Sequence, residues 1–88
     1  MDTGTRAVTI RVRLFARYAE LVGQTEILLD VPEPATVRVV LERLRDRHPA
    51  AADLPPRPLV AVNLRQAALD AIVTGGDEVA VLPPLSGG

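Results

Sequence analysis

Residues 8–14, Val-Thr-Ile-Arg-Val-Arg-Leu, alternate apolar and polar positions at a period of two, the pattern of a strand with one buried face. Val8, Ile10, Val12 and Leu14 fall on the inward side, and Arg11 and Arg13 on the solvent side. The alternation lapses over residues 16–23, where Ala16, Ala19, Glu20 and Leu21 favour a short helix and Gly23 suits its C-terminal stop. Strand character returns over residues 26–31, after a gap too long for a tight hairpin turn, and Pro32 and Pro34 punctuate its end. Val37, Val40, Leu41 and Leu44 then recur at i, i+3, i+4 and i+7, which predicts an amphipathic helix over residues 36–48. Thr36 stands where its hydroxyl can cap that helix, Arg38, Glu42, Arg43, Arg45 and Asp46 line the polar side, and Pro49 forces the end.

Residues 49–58 read as a proline-rich loop. A buried strand follows over 59–62, a turn at 63–66 and a short return strand over 66–69. Thr74-Gly75-Gly76-Asp77 is a turn signal, because glycine accepts positive φ and an aspartate can close a turn on its own backbone. Residues 78–82, Glu-Val-Ala-Val-Leu, read as the last strand, with Val79 and Val81 inward and Leu82 pointing out of the core. Pro83 and Pro84 lack amide hydrogens, so the ladder ends there. The order β, short α, β, α, β, β, β predicts an α+β roll, a mixed sheet packed on one main helix with a right-handed parallel crossover. We assign residues 1–6 to a flexible N-terminal segment, 7–83 to the folded domain and 84–88 to an extended tail.

Eighty-eight residues make one domain, and a 48% hydrophobic content is enough to bury a core at that size. No apolar run is long enough to cross a bilayer and the N-terminus lacks the regions of a signal peptide, so a cytoplasmic protein with no membrane partner is expected. The net charge of −1, with cations spread along the chain, gives no basic footprint for nucleic acid. The chain has no cysteine, and all ten cations are arginine. It therefore has no thiolate metal site, side-chain thiol nucleophile or side-chain amine for acyl capture. His48 is the only histidine, at a helix end, and Asp77-Glu78 is read as turn chemistry rather than an acid–base pair. A self-contained catalyst is not expected, nor is a bound cofactor or metal.

The sequence stops at Leu85-Ser86-Gly87-Gly88, with no charged side chain after Glu78. A Gly-Gly end is thin and conformationally free, able to enter a channel that rejects side chains. From Pro84 it extends roughly 14 Å at about 3.5 Å per residue, and the prolines stiffen its stalk. Gly88 is the candidate reacting residue through its carboxylate, with Gly87 and Ser86 threading behind it. Phe15, Leu82, Pro83, Pro84 and Leu85 are candidates for a partner-facing patch at the root, though Phe15 fits the core equally well.

Three stretches carry a resemblance: residues 12–23 (VRLFARYAELVG), 60–67 (VAVNLRQA) and 74–88 (TGGDEVAVLPPLSGG). The chain resembles the MoaD/ThiS group of sulfur carriers, and within it the small subunits of molybdopterin synthase, over nearly all residues after 6. The resemblance implies a ubiquitin-like β-grasp fold. It also implies that a MoeB-like, E1-like enzyme uses ATP and magnesium to adenylate Gly88, which is then converted to a thiocarboxylate. A MoaE-like large subunit receives the loaded tail, and sulfur passes to cyclic pyranopterin monophosphate to build the dithiolene for molybdenum. Sulfur delivery for thiamin thiazole, tRNA thiolation or a tungsten cofactor, and conjugation to lysines as a ubiquitin-like modifier, are the alternatives.

Overall fold

The first alternation becomes strand β1, Arg6–Leu14, in a computed structural model that describes residues 6–84. β1 begins at Arg6, one residue inside the segment assigned to the flexible N-terminus, because Arg6 and Ala7 lie opposite Glu33 and Pro32 of the second strand. Helix α1 spans Ala16–Val22, β2 Glu26–Glu33, β3 Ala35–Thr36, α2 Val37–Arg47, β4 Leu59–Val62, β5 Arg65–Ala67, β6 Ile72–Val73 and β7 Glu78–Leu82. Five of the strands form one sheet in the order β2-β1-β7-β4-β5. β1 and β7 run parallel at its centre, while β1–β2, β4–β7 and β4–β5 are antiparallel.

The odd and even positions of β1 separate as its pattern dictates. Ile10, Val12 and Leu14 are buried on the side covered by α2, and Thr9, Arg11 and Arg13 are exposed on the other. The stripe Val37, Val40, Leu41 and Leu44 of α2 is buried against them and against Val79 and Val81 of β7. Fully burying each such side chain contributes about 1.5–3 kcal/mol. Thr36 Oγ1 accepts a hydrogen bond from the Val39 amide at 3.3 Å, as a cap should.

Two further α2 amides find backbone partners that the pattern did not reveal. The Val37 and Arg38 N–H groups donate to Ala71 and Leu69 carbonyls, each at 2.9 Å, and the two-stranded ladder β3–β6 forms alongside.

Three expectations are corrected. β2 does not stop at Pro32 but runs to Glu33. The Leu14 amide donates to the Thr25 carbonyl at 3.0 Å, which fixes the ladder's phase: Ile27, Leu29 and Val31 bond inward to β1. The even residues of β2 therefore face the free edge, where a proline's missing N–H costs nothing. The loop 49–58 opens with a 3-10 turn, Pro49–Asp53, which buries Ala51, and Leu54 just after it is buried too; Arg45 Nη2 ties this segment to α2 through the Pro55 carbonyl at 2.6 Å. The return strand is Arg65–Ala67, earlier than 66–69, because only Asn63 and Leu64, at φ of 50° and 73°, make the turn.

The turn before β7 is held from several sides. Gly76, at φ 85°, donates its amide to the Thr9 carbonyl at 3.0 Å. Gly75 passes so close to β1 that a Cβ there would lie 3.1 Å from the Val8 Cβ. A five-stranded mixed sheet folded over one main helix, with the parallel pair at its centre, is a ubiquitin-like β-grasp roll.

Candidate functional site

β7 carries the chain from the middle of the sheet to its tail. Val79 and Val81 anchor it in the core with no exposed surface, so Glu78, Ala80 and Leu82 must look to the opposite, α2-free face. On that face Ala80 lies between Arg13 of β1 and Ala61 of β4, and Leu82 lies beside Leu59. One residue beyond the Leu14–Val81 pair, the chain has left β1 at Phe15 and β7 ends at Leu82. Phe15 is 36% exposed, which settles its two readings in favour of the surface.

The Arg13 guanidinium carbon sits 5.2 Å from the Phe15 ring centroid, and Arg13 Nη1 meets Glu78 Oε2 at 3.4 Å. One arginine thus links the aromatic residue at the root of the tail to the start of β7. A cation over an exposed ring contributes about 0.5–1 kcal/mol, so the bridge orients Phe15 more than it stabilises the fold.

Leu82 and Pro83 are half-buried and Pro84 is exposed. Their apolar surface joins that of Phe15 and Leu59 around the exit of β7. Two open grooves, of about 820 and 610 Å³, flank the exit and share Tyr18, Pro55 and Pro84. Arg38 and Arg57 line the larger, Arg17 and Asp53 the smaller.

Leu85, Ser86, Gly87 and Gly88 lie outside the described residues. Of the sequence-predicted patch, the structure places Phe15, Leu82, Pro83 and Pro84 around one exit. The sequence reading missed Leu59, Arg13, Tyr18 and Pro55. Leu59 belongs to a run of four apolar residues, Leu-Val-Ala-Val, whose uniformity hid the alternation of its faces. Only the register with β7 shows that Leu59 shares the outer face with Leu82.

Asp77-Glu78 behaves as the turn chemistry expected of it. Asp77 Oδ2 accepts from the Thr74 amide at 2.8 Å, and Asp77 Oδ1 accepts from Asn63 Nδ2 at 3.0 Å. These bonds, the Thr74 amide foremost, hold the Asp77 carboxyl below its ordinary value of 3.8. Among the described residues no buried side chain is polar or charged. No helix of the described residues is long and apolar enough to cross a membrane. Around the end of β7 the described surface offers a rigid strand, an apolar collar and an oriented aromatic ring.

Comparison with known proteins gives the same picture a lineage. The ThiS family model matches residues 12–88. The molybdopterin synthase sulfur carrier subunit of Arabidopsis thaliana is 36% identical over 84 residues, an alignment covering 96% of this chain and 88% of that one. Its Escherichia coli counterpart is 38% identical over 81 residues, covering 90% and 99%. The crystal structure of SAMP1 from Haloferax volcanii matches with a TM-score of 0.81 at 35% identity, over 91% of this chain and 99% of that one.

Proposed function

The chain belongs to the ThiS family, and on that premise we propose that it is the sulfur carrier of a molybdopterin synthase, loaded at Gly88. In this reading a MoeB-like, E1-like enzyme brings ATP and magnesium to the Gly88 carboxylate. A carboxylate oxygen attacks the α-phosphorus, pyrophosphate leaves, and the acyl-adenylate becomes open to a sulfur donor. Attack by a hydrosulfide-level donor forms the C–S bond, expels AMP and leaves a thiocarboxylate. Because a thiocarboxylic acid is a stronger acid than a thiol, it is an anionic nucleophile at neutral pH, the form that reacts. A MoaE-like large subunit, which supplies the catalytic groups, then takes in the tail, and sulfur passes to cyclic pyranopterin monophosphate.

The observation that carries this reading is the collar at the exit of β7, where exposed Phe15 and half-buried Leu82 and Pro83 surround the departing chain. A contiguous exposed apolar patch marks a docking site, and here it lies where an enzyme gripping the tail must also touch the body. Gly87 and Ser86 thread the channel, and Leu85 extends the apolar contact. The body needs no nucleophile of its own: with no cysteine and no lysine, no thiol or side-chain amine can intercept the activated end.

Deleting Gly88, or making Gly87→Trp, is expected to abolish sulfur transfer to the pterin while circular dichroism and the melting temperature stay unchanged. Mass spectrometry of protein from its own cells should find the mass gain of one oxygen replaced by sulfur. A Gly88-deleted chain that still supports molybdopterin formation would overturn the proposal. A second reading is favoured by one specific relative, small archaeal modifier protein 1 of Haloferax volcanii, 37% identical over 84 residues. If this chain is a modifier, isopeptide adducts joining Gly88 to target lysines will be found in cells.

A further inference from the structure

The free edge of β2 lies on the far side of β1 from β7. β2 ends the sheet order, so one side of it has no strand. The ladder's phase assigns its groups: Ile27, Leu29 and Val31 bond to β1, while the N–H and C=O of Glu26, Leu28 and Asp30 point to the open side. Among the described residues no hydrogen bond reaches these six groups. They span about 13 Å at 3.3–3.4 Å per residue, enough for three successive ladder positions. Pro32 offers only a carbonyl, so the site stops there.

The side chains beside those groups are not neutral in what they accept. Leu28 is 67% exposed on the outer face. It is flanked by Glu26, which meets Arg11 Nε at 3.3 Å, and by Asp30, which accepts from Thr9 Oγ1 at 2.9 Å. Each carboxylate is oriented by a single neighbour and has acceptor sites to spare. A second copy of this chain is disfavoured: antiparallel pairing centred on Leu28 sets Glu26 of one copy opposite Asp30 of the other, and like charges directly opposite are destabilising. A strand with a basic residue, an apolar residue and a basic residue at alternate positions meets all three side chains favourably.

We propose that this edge accepts an extended, basic–apolar–basic segment of a partner protein as a sixth strand. β2 lies two strands from β7, about 10 Å at ordinary strand spacing. The Leu82–Leu59 side of the collar therefore stays open while the edge is occupied, so one protein can hold the edge while another binds at the exit of β7. This inference rests on the edge alone and stands whether or not the sulfur-carrier reading does.

The probe is a blocked peptide, Thr-Arg-Thr-Val-Thr-Arg-Thr, titrated into isotope-labelled full chain and followed by amide shifts and hydrogen exchange. Glu26, Leu28 and Asp30 amides should shift and exchange more slowly, while those of Ile27 and Leu29, already bonded to β1, should hardly change. A peptide with N-methylated backbone amides should not bind. Glu26→Gln with Asp30→Asn should weaken the probe about fivefold, two opposite-charge cross-strand pairs at about 0.5 kcal/mol each. Those two variants leave the apolar core untouched, and a circular dichroism spectrum equal to the parent's checks the fold. The proposal falls if the shifts appear at the collar instead, if the N-methylated peptide binds equally, or if no shift appears at millimolar peptide. It falls also if unlabelled carrier added to labelled carrier produces the same edge shifts, since the occupant is then a second copy.

Discussion

At Asp77 one carboxylate accepts from the Thr74 amide at 2.8 Å, the Thr74 hydroxyl at 3.3 Å and the Asn63 amide at 3.0 Å. Asn63 in turn accepts from the Glu78 amide at 3.0 Å, so the β4–β5 turn and the start of β7 share one polar knot. Because the folded-state pKa lies below the ordinary 3.8, the stabilisation is fully present above 3.8 and disappears as pH falls through the lower native value. Urea midpoints measured from pH 6 downward should show Asp77→Asn less stable than the parent at pH 6, with the difference closing below 3.8. A gap that stays constant with pH would assign the knot to shape rather than charge. In the same turn Leu64 holds φ 73° with its side chain 86% exposed, backbone strain with no packing return. Left-handed backbone costs a non-glycine residue about 1–2 kcal/mol, and glycine gives back part of that in unfolded-state entropy. Leu64→Gly should therefore raise stability by about 0.5–1 kcal/mol in denaturant melts.

The close approach of the 74–77 turn to β1 can be tested as a coupling between two elements. Gly75→Ala forces a Cβ to within 3.1 Å of the Val8 Cβ and should destabilise the domain. Val8→Ala leaves that Cβ in place but removes the Cγ1 methyl 3.4 Å from the new atom, letting the strand give way. A double-mutant cycle should show the pair costing less than the sum of the singles, and strict additivity would mean the turn and β1 are not in contact there. The elements that drive the fold were legible. Period-two alternation in β1 and the 3.6-residue stripe of α2 each depend only on local residue order, and Thr36 caps where a cap was read. What was hidden depends on a distant partner. Pro32 looked like a stop because its permission to stay comes from being on an edge strand. β3 and β6 are two-residue pieces whose pairing has no periodic signature, and Leu59 gained its meaning only from lying beside Leu82. Of the candidate site, the exit strand and its prolines could be read directly. Phe15 could not, since a single apolar residue between a strand and a helix fits either side of the sheet.

At the scale of the whole molecule the exposed collar predicts a division between stability and recognition. Phe15 stands outside the buried core and is 36% exposed, so Phe15→Ala should lower the thermal midpoint by less than truncation of a core residue such as Leu44 does. Aromatic residues centred in an interface cost about 2 kcal/mol or more when truncated, so its affinity for the proposed large-subunit partner should fall about thirtyfold or more in calorimetry. An unchanged affinity would move the docking surface elsewhere. The position of β7 has a further consequence. It is the last strand in the chain order, yet it slots between β1 and β4 rather than adding to an edge. Until it does so, the first half of the sheet and the second are not joined, and the collar, whose members come from β1's end, β4 and β7, does not exist. On the sulfur-carrier reading proposed above, an enzyme that grips the collar therefore meets only correctly closed molecules, and the architecture acts as its own inspection step.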